Sequence, residues 1–348
     1  MTVDAATHEH SDADADGTSK TAGMSTAPGP TPHVARSTSR CAGAQIGRAW
    51  LPVVLALAMA AWPITARGDG DLDRRVQAVL AGPGDPAQAG VWFGTPGAPI
   101  YQLAADRAMP AASVVKTAIL IELFAAHAGH LDDPLGAAAD AIVADDKHAA
   151  MAPFSAAQRK EIRTALHGAT VRTVGAIMMG SQKASNPVYN AAANLIIAAL
   201  GGPAGTTAKI HARDPGFAGV IVGRYMLASR TAGDNEATPA SLAAVLAAVA
   251  TARVPGVDAT TAGALAQVMM QSKDPALGVH RHKDGNLDSD PMVCIKTGFY
   301  LRRNDKPPLI YVVGASLSAR PTGSRDAAHN RLDKLTDALH AALRTAAP

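Results

Sequence analysis

Asp106-Arg107-Ala108-Met109-Pro110-Ala111-Ala112-Ser113-Val114-Val115-Lys116 places a serine and a lysine three residues apart at the mouth of an apolar run. Lys116, Ile119, Leu120, Leu123 and Phe124 recur at helical spacing, which predicts a helix over about 113–127, ended by Gly129. Residues three apart on a helix are neighbours, so the lysine can reach the serine hydroxyl. That hydroxyl is a weak nucleophile until a nearby base takes its proton. A lysine can be that base only when desolvation or a second cation lowers its pKa. The helix start also sets backbone N–H groups beside Ser113, ready for an oxyanion. Four residues alone are close to chance in a chain of 348, so the surroundings must decide.

Residues 71–81 read as a short amphipathic helix. Gly90-Val91-Trp92-Phe93-Gly94 and Pro99-Ile100-Tyr101-Gln102-Leu103 read as two strands about a Thr-Pro-Gly turn, hence a hairpin. Helical patterns cover 155–167, 171–179 and 190–200, and Gly201-Gly202-Pro203 stops the last. Residues 204–237 read as irregular. Thr238-Pro239 opens a further helix to about 252, with threonine as N-cap and proline at the first position. Another helix spans 259–271, strands cover 292–297 and 309–317, and a final helix covers 325–344 with Leu332, Leu335, Leu339 and Leu343 on one face.

This order predicts an α+β fold. Strands from both ends of the chain join one antiparallel sheet, the terminal helices cover it, and the middle helices form an all-α lobe with the active site between the lobes. The α/β lobe is expected at about 67–112 and 238–348, and the all-α lobe at about 113–237.

Apolar residues make up 48% and aromatics 4%, so the core is expected to be built on alanine-rich helices. A net charge of +3 with scattered basic residues argues against a nucleic-acid partner. Residues 1–40 lack apolar periodicity and read as a disordered tail. Arg36, Arg40 and Arg48 then flank an apolar run over 49–64, with the small Ala66 after it. That is the pattern of a secretory signal, so 1–66 is expected to be removed and 67–348 to be the folded part. An uncleaved anchor is the alternative, and the run is short for a span. Met24 is an alternative start. A periplasmic or secreted monomer follows, meeting the membrane only through its signal. Cys41 falls in the removed segment, which leaves Cys294 with no disulfide partner.

Two further motifs carry chemistry. Lys296-Thr297-Gly298 ends a strand: glycine admits a substrate against the strand edge, lysine adds charge and threonine a hydroxyl. Together they suit a carboxylate-bearing substrate. Ser185-Asn186-Pro187-Val188-Tyr189-Asn190 leads into a helix, where a serine could shuttle a proton and an asparagine amide could hold the lysine and a substrate carbonyl.

Serine–x–x–lysine, a serine/asparagine element and lysine–threonine–glycine, in that order, resemble the class A β-lactamase and penicillin-binding superfamily from about residue 71 to the carboxyl end. Asn190-Ala191-Ala192-Ala193-Asn194-Leu195 followed by Leu200-Gly201-Gly202, and Thr238-Pro239-Ala240, are similar to further stretches of that superfamily. The resemblance implies Ser113 as acylated nucleophile, Lys116 as its base or relay, and Lys296 and Thr297 as carboxylate binders. It implies an oxyanion hole made by the N–H groups of Ser113 and Phe299.

Three departures accompany it. The serine–aspartate–asparagine element is blurred: Asn190 is the favoured amide, Ser185 a hydroxyl supplied by the loop, and Ser185-Asn186 the alternative pair. The glutamate and asparagine that hold the hydrolytic water have no match. Asp214-Pro215 is the nearest equivalent, one methylene short and with Ala218 where asparagine is expected. Phe299-Tyr300 puts bulk where small residues are usual.

The remaining candidates read blandly. His280-Arg281-His282 lacks a third metal ligand and reads as a polar loop, so neither metal nor cofactor is expected. Met178-Met179 and Met269-Met270 read as core filler, and Cys294 as a buried thiol on the side of Lys296. The function expected is a serine hydrolase acting on β-lactams or D-alanyl, peptidoglycan-like peptides. A slow-turnover penicillin-binding protein and a non-catalytic binding domain are the alternatives.

Overall fold

The structure is a computed structural model that describes residues 70–82, 88–317 and 324–347. The expected tail and signal, residues 1–66, lie outside the described residues. In chain order, α1 (Gly70–Leu80) precedes β1 (Gln88–Thr95), β2 (Ala98–Leu103) and β3 (Met109–Pro110). A 3-10 turn (Ala112–Val115) runs into α2 (Lys116–Ala126). Next come α3 (Ala137–Ala144), α4 (Ala156–Leu166), α5 (Val171–Met179), α6 (Asn186–Ala199) and α7 (Gly202–Arg213). β4 (Glu236–Ala237), α8 (Pro239–Ala250) and α9 (Ala259–Gln267) lead to β5 (Met270–Asp274), β6 (Gly278–Leu287), β7 (Val293–Leu301), β8 (Leu309–Ser316) and α10 (Arg325–Arg344).

Six strands form one antiparallel sheet in the order β2-β1-β8-β7-β6-β5, so β1 from the start of the fold pairs with β8 near its end. The fold is α+β, as the sequence predicts. Alternation along β7 separates two cores. Val293, Ile295 and Phe299 pack with the helices that include α2, α5, α6 and α8. Cys294 and Tyr300 face the other way, where α1 and α10 bury Leu72, Val76, Leu332, Leu339 and Leu343. Each buried leucine contributes about 1.5–3 kcal/mol.

Sequence and structure part most clearly at four places, and the helix expected over 259–271 also stops at Gln267, before β5. β5 and β6 replace the loop expected around His280. Both faces of β6 carry polar side chains, with His280 and His282 on one and Arg281 and Lys283 on the other, so no apolar alternation marks it. His280 instead stacks on Tyr300 with ring centroids 4.5 Å apart, and burial pulls its pKa down to about 3. The Gly201-Gly202-Pro203 stop is also a start: Gly201 takes φ 99° and Pro203 enters the first turn of α7. α3 stands where no helix is predicted. Finally, Ser113 belongs to the 3-10 turn, and α2 proper begins only at Lys116.

Candidate active site

Ala112, just before the serine, holds φ at 46°, a left-handed setting that costs a residue with a Cβ. Such strain is kept only where the surroundings force it, and the surroundings here are β6. A Cβ on Gly285 would stand 2.8 Å from the Ser113 backbone nitrogen and 3.1 Å from the Ala112 Cβ. Glycine at 285 is therefore what lets the turn and the strand touch.

Lys116 is 2% exposed, and its Nζ donates to Asn190 Oδ1 on α6 at 3.0 Å. The amide is aimed by its other end, since Asn190 Nδ2 donates to the Asn186 carbonyl at 3.0 Å and to Asn186 Oδ1 at 2.9 Å. Burial, and then the nearby Lys283, hold the Lys116 pKa well below the ordinary lysine value. Lys283 projects from β6, donates to the Asp284 carbonyl at 2.9 Å, and is itself lowered by burial against a partial offset from Asp284. Both conditions for a lysine base, desolvation and a second cation, are thus met at Lys116.

Ser113 borders two cavities. The wider, about 670 Å³, is also lined by Asn186, Asn190, Met226, Leu227, Arg230 and Asn286, among others. The narrower, about 180 Å³, is lined by Ser113, Lys116, Met178, Gly180, Asn186, Tyr189, Met270 and Lys283. Met178 is buried in the core, as the sequence reading has it, and with Met270 it also walls this cavity.

The second motif is not where the sequence reading puts it. In the β6–β7 register Lys283 pairs with Thr297, Asp284 with Lys296 and Gly285 with Ile295. Lys296 therefore shares the face of Asp284, away from Lys283, and its Nζ meets Asp333 (3.0 Å) and Asp337 of α10. Thr297 Oγ1 donates to the Lys283 carbonyl at 2.7 Å, tying β7 to β6. Gly298 lies inside the sheet opposite Tyr311, and Phe299 and Tyr300 are buried in opposite cores. None of these four motif residues, 296–299, lines either cavity. Lys283-Asp284-Gly285 stands beside Ser113 in their place. The available signal was a second lysine–x–glycine triplet, masked by aspartate at its centre.

Two other candidates also fall elsewhere. Ser185 precedes α6 with its hydroxyl buried, unpartnered among the described residues, and outside both cavities. Asp214 caps a 3-10 turn (Pro215–Phe217), Oδ1 accepting from the Gly216 N–H at 2.7 Å, and lines neither cavity. The loop that does face Ser113 is 224–235. Arg224 pairs with Asp234 (3.1 Å), and Asn235 Oδ1 accepts from the Gly223 and Arg224 N–H groups, which pins the loop's base. Arg230 ties its crest to the carbonyls of Ser289, Asp290 and Pro291 in the β6–β7 turn. This loop offers Met226 and Leu227 to the cleft; the carboxylates lining that cleft are Asp288 and Asp290, in the turn opposite.

A model of the Beta-lactamase enzyme family matches residues 71–305. The chain belongs to that family. As a member of the Beta-lactamase enzyme family it keeps the Ser113 turn, α6, the 224–235 loop and β6 inside the matched span. The fold agrees. A β-lactamase from Desulfarculus baarsii aligns at 17% identity over 80% of this chain and 98% of its own, with a TM-score of 0.57. One from Sphaerobacter thermophilus aligns at 20% over 78% and 96%, TM-score 0.53. PBP-A aligns at 17% over 80% and 98%, TM-score 0.53. No curated protein sequence matches the chain.

Proposed function

We propose that this family member is an exported serine hydrolase that forms an acyl-enzyme at Ser113 and opens β-lactam-like cyclic amides. The observation that carries this reading is the Lys116 amine, held by Asn190, its pKa lowered by burial and then by Lys283, and lining one cavity with Ser113. Lys116 takes the Ser113 proton as Oγ attacks the substrate carbonyl. The N–H groups of Ser113 and Asn286, the residue after Gly285, receive the oxyanion. Collapse breaks the amide C–N bond, and the proton passes from Lys116 to the leaving nitrogen. Lys283 replaces Lys296 as the second cation. Export rests on the basic-then-apolar pattern of residues 36–66.

A second reading, a penicillin-binding or slow-turnover acylatable protein, is favoured by one observation. The loop facing Ser113 brings Met226 and Leu227 rather than a carboxylate to hold a hydrolytic water. Time-resolved intact-mass spectrometry with a penicillin separates the two. A transient adduct with many turnovers supports the first, and a single persistent adduct supports the second. Absence of an adduct with both the penicillin and an activated ester, in the parent as in Ser113→Ala, would refute both.

A further inference from the structure

Ser113 divides its surroundings unequally, and the proton path tells which half of a substrate each side receives. An acyl donor reacting at Ser113 has its carbonyl carbon at Oγ, its acyl part on one side and its leaving group on the other. The Oγ–C bond forms first, and collapse of the tetrahedral oxyanion then breaks the C–X bond heterolytically; an amide nitrogen leaves only as it collects the proton that Oγ gave up, so the proton donors mark the side on which X sits. The amine that took the proton, Lys116, returns it, and the Lys283 amine and Tyr189 hydroxyl that stand with Lys116 to relay it line the same narrow cavity. Tyr189 Oη accepts from the Ala184 N–H at 3.2 Å, which leaves its own proton to donate. None of the three lines the wide cleft. The leaving group therefore enters the narrow cavity and the acyl part the wide one.

The two spaces differ in size and lining. The wide cleft, about 670 Å³, falls in the ~300–1,000 Å³ range that accommodates drug-sized ligands, and the narrow one, about 180 Å³, lies below it. Met178, at the end of α5, and Met270, at the start of β5, wall the narrow side. Their approach is fixed from behind. Gly180 ends α5 at φ 87°, where a Cβ would meet the Met270 sulfur at 3.4 Å. Ser181 Oγ donates to the Val268 carbonyl at 2.7 Å and ties the two segments together.

We infer that the protein is selective for acyl donors with a large acyl part and a small leaving group, with Met270 and Met178 setting the limit on the leaving side. The inference rests on the proposed acylation of Ser113. It predicts poor acylation by donors whose leaving group is bulky, whatever their acyl part.

Two thioesters of one acyl group, N-benzoylglycine, test it: a thioglycolate ester and a 2-naphthalenethiol ester. Thiol release is followed in a single turnover, adduct formation is read by intact mass, and each rate is divided by its rate without protein. The expected ratio favours thioglycolate by about tenfold or more, the scale on which an apolar pocket discriminates. Met270→Ala is expected to bring the ratio toward one, and Met270→Trp to slow the naphthyl ester further. Equal corrected rates in the parent, or a ratio that Met270→Ala leaves unchanged, would overturn the inference while leaving acylation intact. No thiol release and no adduct from either ester would instead sink the acylation reading and the inference with it.

Discussion

Gly285 of β6 lies so close to Ser113 that a Cβ on it would stand 2.8 Å from the serine's backbone nitrogen. The obstacle is main chain on a strained turn, so an added methyl must push strand and turn apart. Gly285→Ala is expected to slow acylation about a hundredfold, the cost of a misplacement near 1 Å at a reacting centre. If, as proposed, the displaced backbone N–H is an oxyanion donor rather than a binding contact, the loss should fall on the acylation rate constant more than on penicillin affinity. Stopped-flow acylation decides it, and an unchanged rate constant would remove Gly285 from the site.

Lys116 and Lys283 supply a pH signature. Burial and the charge of Lys283 both lower the Lys116 pKa, so the neutral, proton-accepting amine is populated below the ordinary lysine range. Acylation should therefore rise with pH through that lowered value. Lys283→Met removes the repelling charge, raises the Lys116 pKa part of the way back, and moves the acid limb toward higher pH. Lys296→Met is the contrasting variant. Its ammonium is paired to Asp333 and Asp337 behind the sheet, so its loss should reduce stability and leave the acid limb in place. The acid limbs of the two variants' acylation profiles are the measurement. A shift with Lys296→Met and none with Lys283→Met would restore the sequence-based assignment.

That contrast also shows what was legible in the residues. β1, β2, β7 and β8 announce themselves by β-branched and aromatic runs between turn residues, and α10 by its leucine stripe, because each buries an apolar face. The Ser113 turn is legible because its pattern is local: Ser113 and Lys116 are three residues apart. β6 is not, since His280, Arg281, His282, Lys283 and Asp284 make it polar on both faces, and what stabilises it is pairing with β7 together with the groups behind it. The position of Lys296 follows from strand register, which no single segment encodes. Asp214 misleads in the same way. Its Asp-Pro pair fits a familiar local pattern, yet the loop that reaches Ser113 begins ten residues later and is held by contacts between Arg224, Asp234 and Asn235.

Glu122 on α2 is 3% exposed and meets Arg213 of α7 through two hydrogen bonds, at 3.0 and 2.8 Å. These bonds hold the Arg213 pKa above its usual value against the opposing pull of burial. Arg213→Met would leave a buried carboxylate without its counter-charge, a change that costs about 3–5 kcal/mol. Denaturant unfolding should show a midpoint lowered accordingly, whereas the double variant Glu122→Gln with Arg213→Met should recover much of the loss. A single variant as stable as the parent would mean that the carboxylate finds water or another donor.

Asp214 gives the sharpest test of how the acyl group leaves. Were it the water-activating base, Asp214→Ala would slow deacylation by a factor of about a hundred to ten thousand. Its carboxylate instead accepts from the Gly216 N–H and borders neither cavity that Ser113 lines. The expected outcome is therefore a lifetime of the penicillin adduct that matches the parent's. Stability should fall by about 1 kcal/mol, the typical contribution of a cap. Leu227→Glu makes the complementary change, since it brings a carboxylate to the loop that does face the nucleophile. If a missing base on that loop is what limits turnover, this variant should shorten the adduct's lifetime by tenfold or more while Asp214→Ala leaves it untouched. Pulse-chase intact-mass spectrometry reads both lifetimes from one acylated sample. A long-lived adduct in Asp214→Ala beside rapid turnover in the parent would return the base to Asp214 and require the 214–217 turn to move during the reaction.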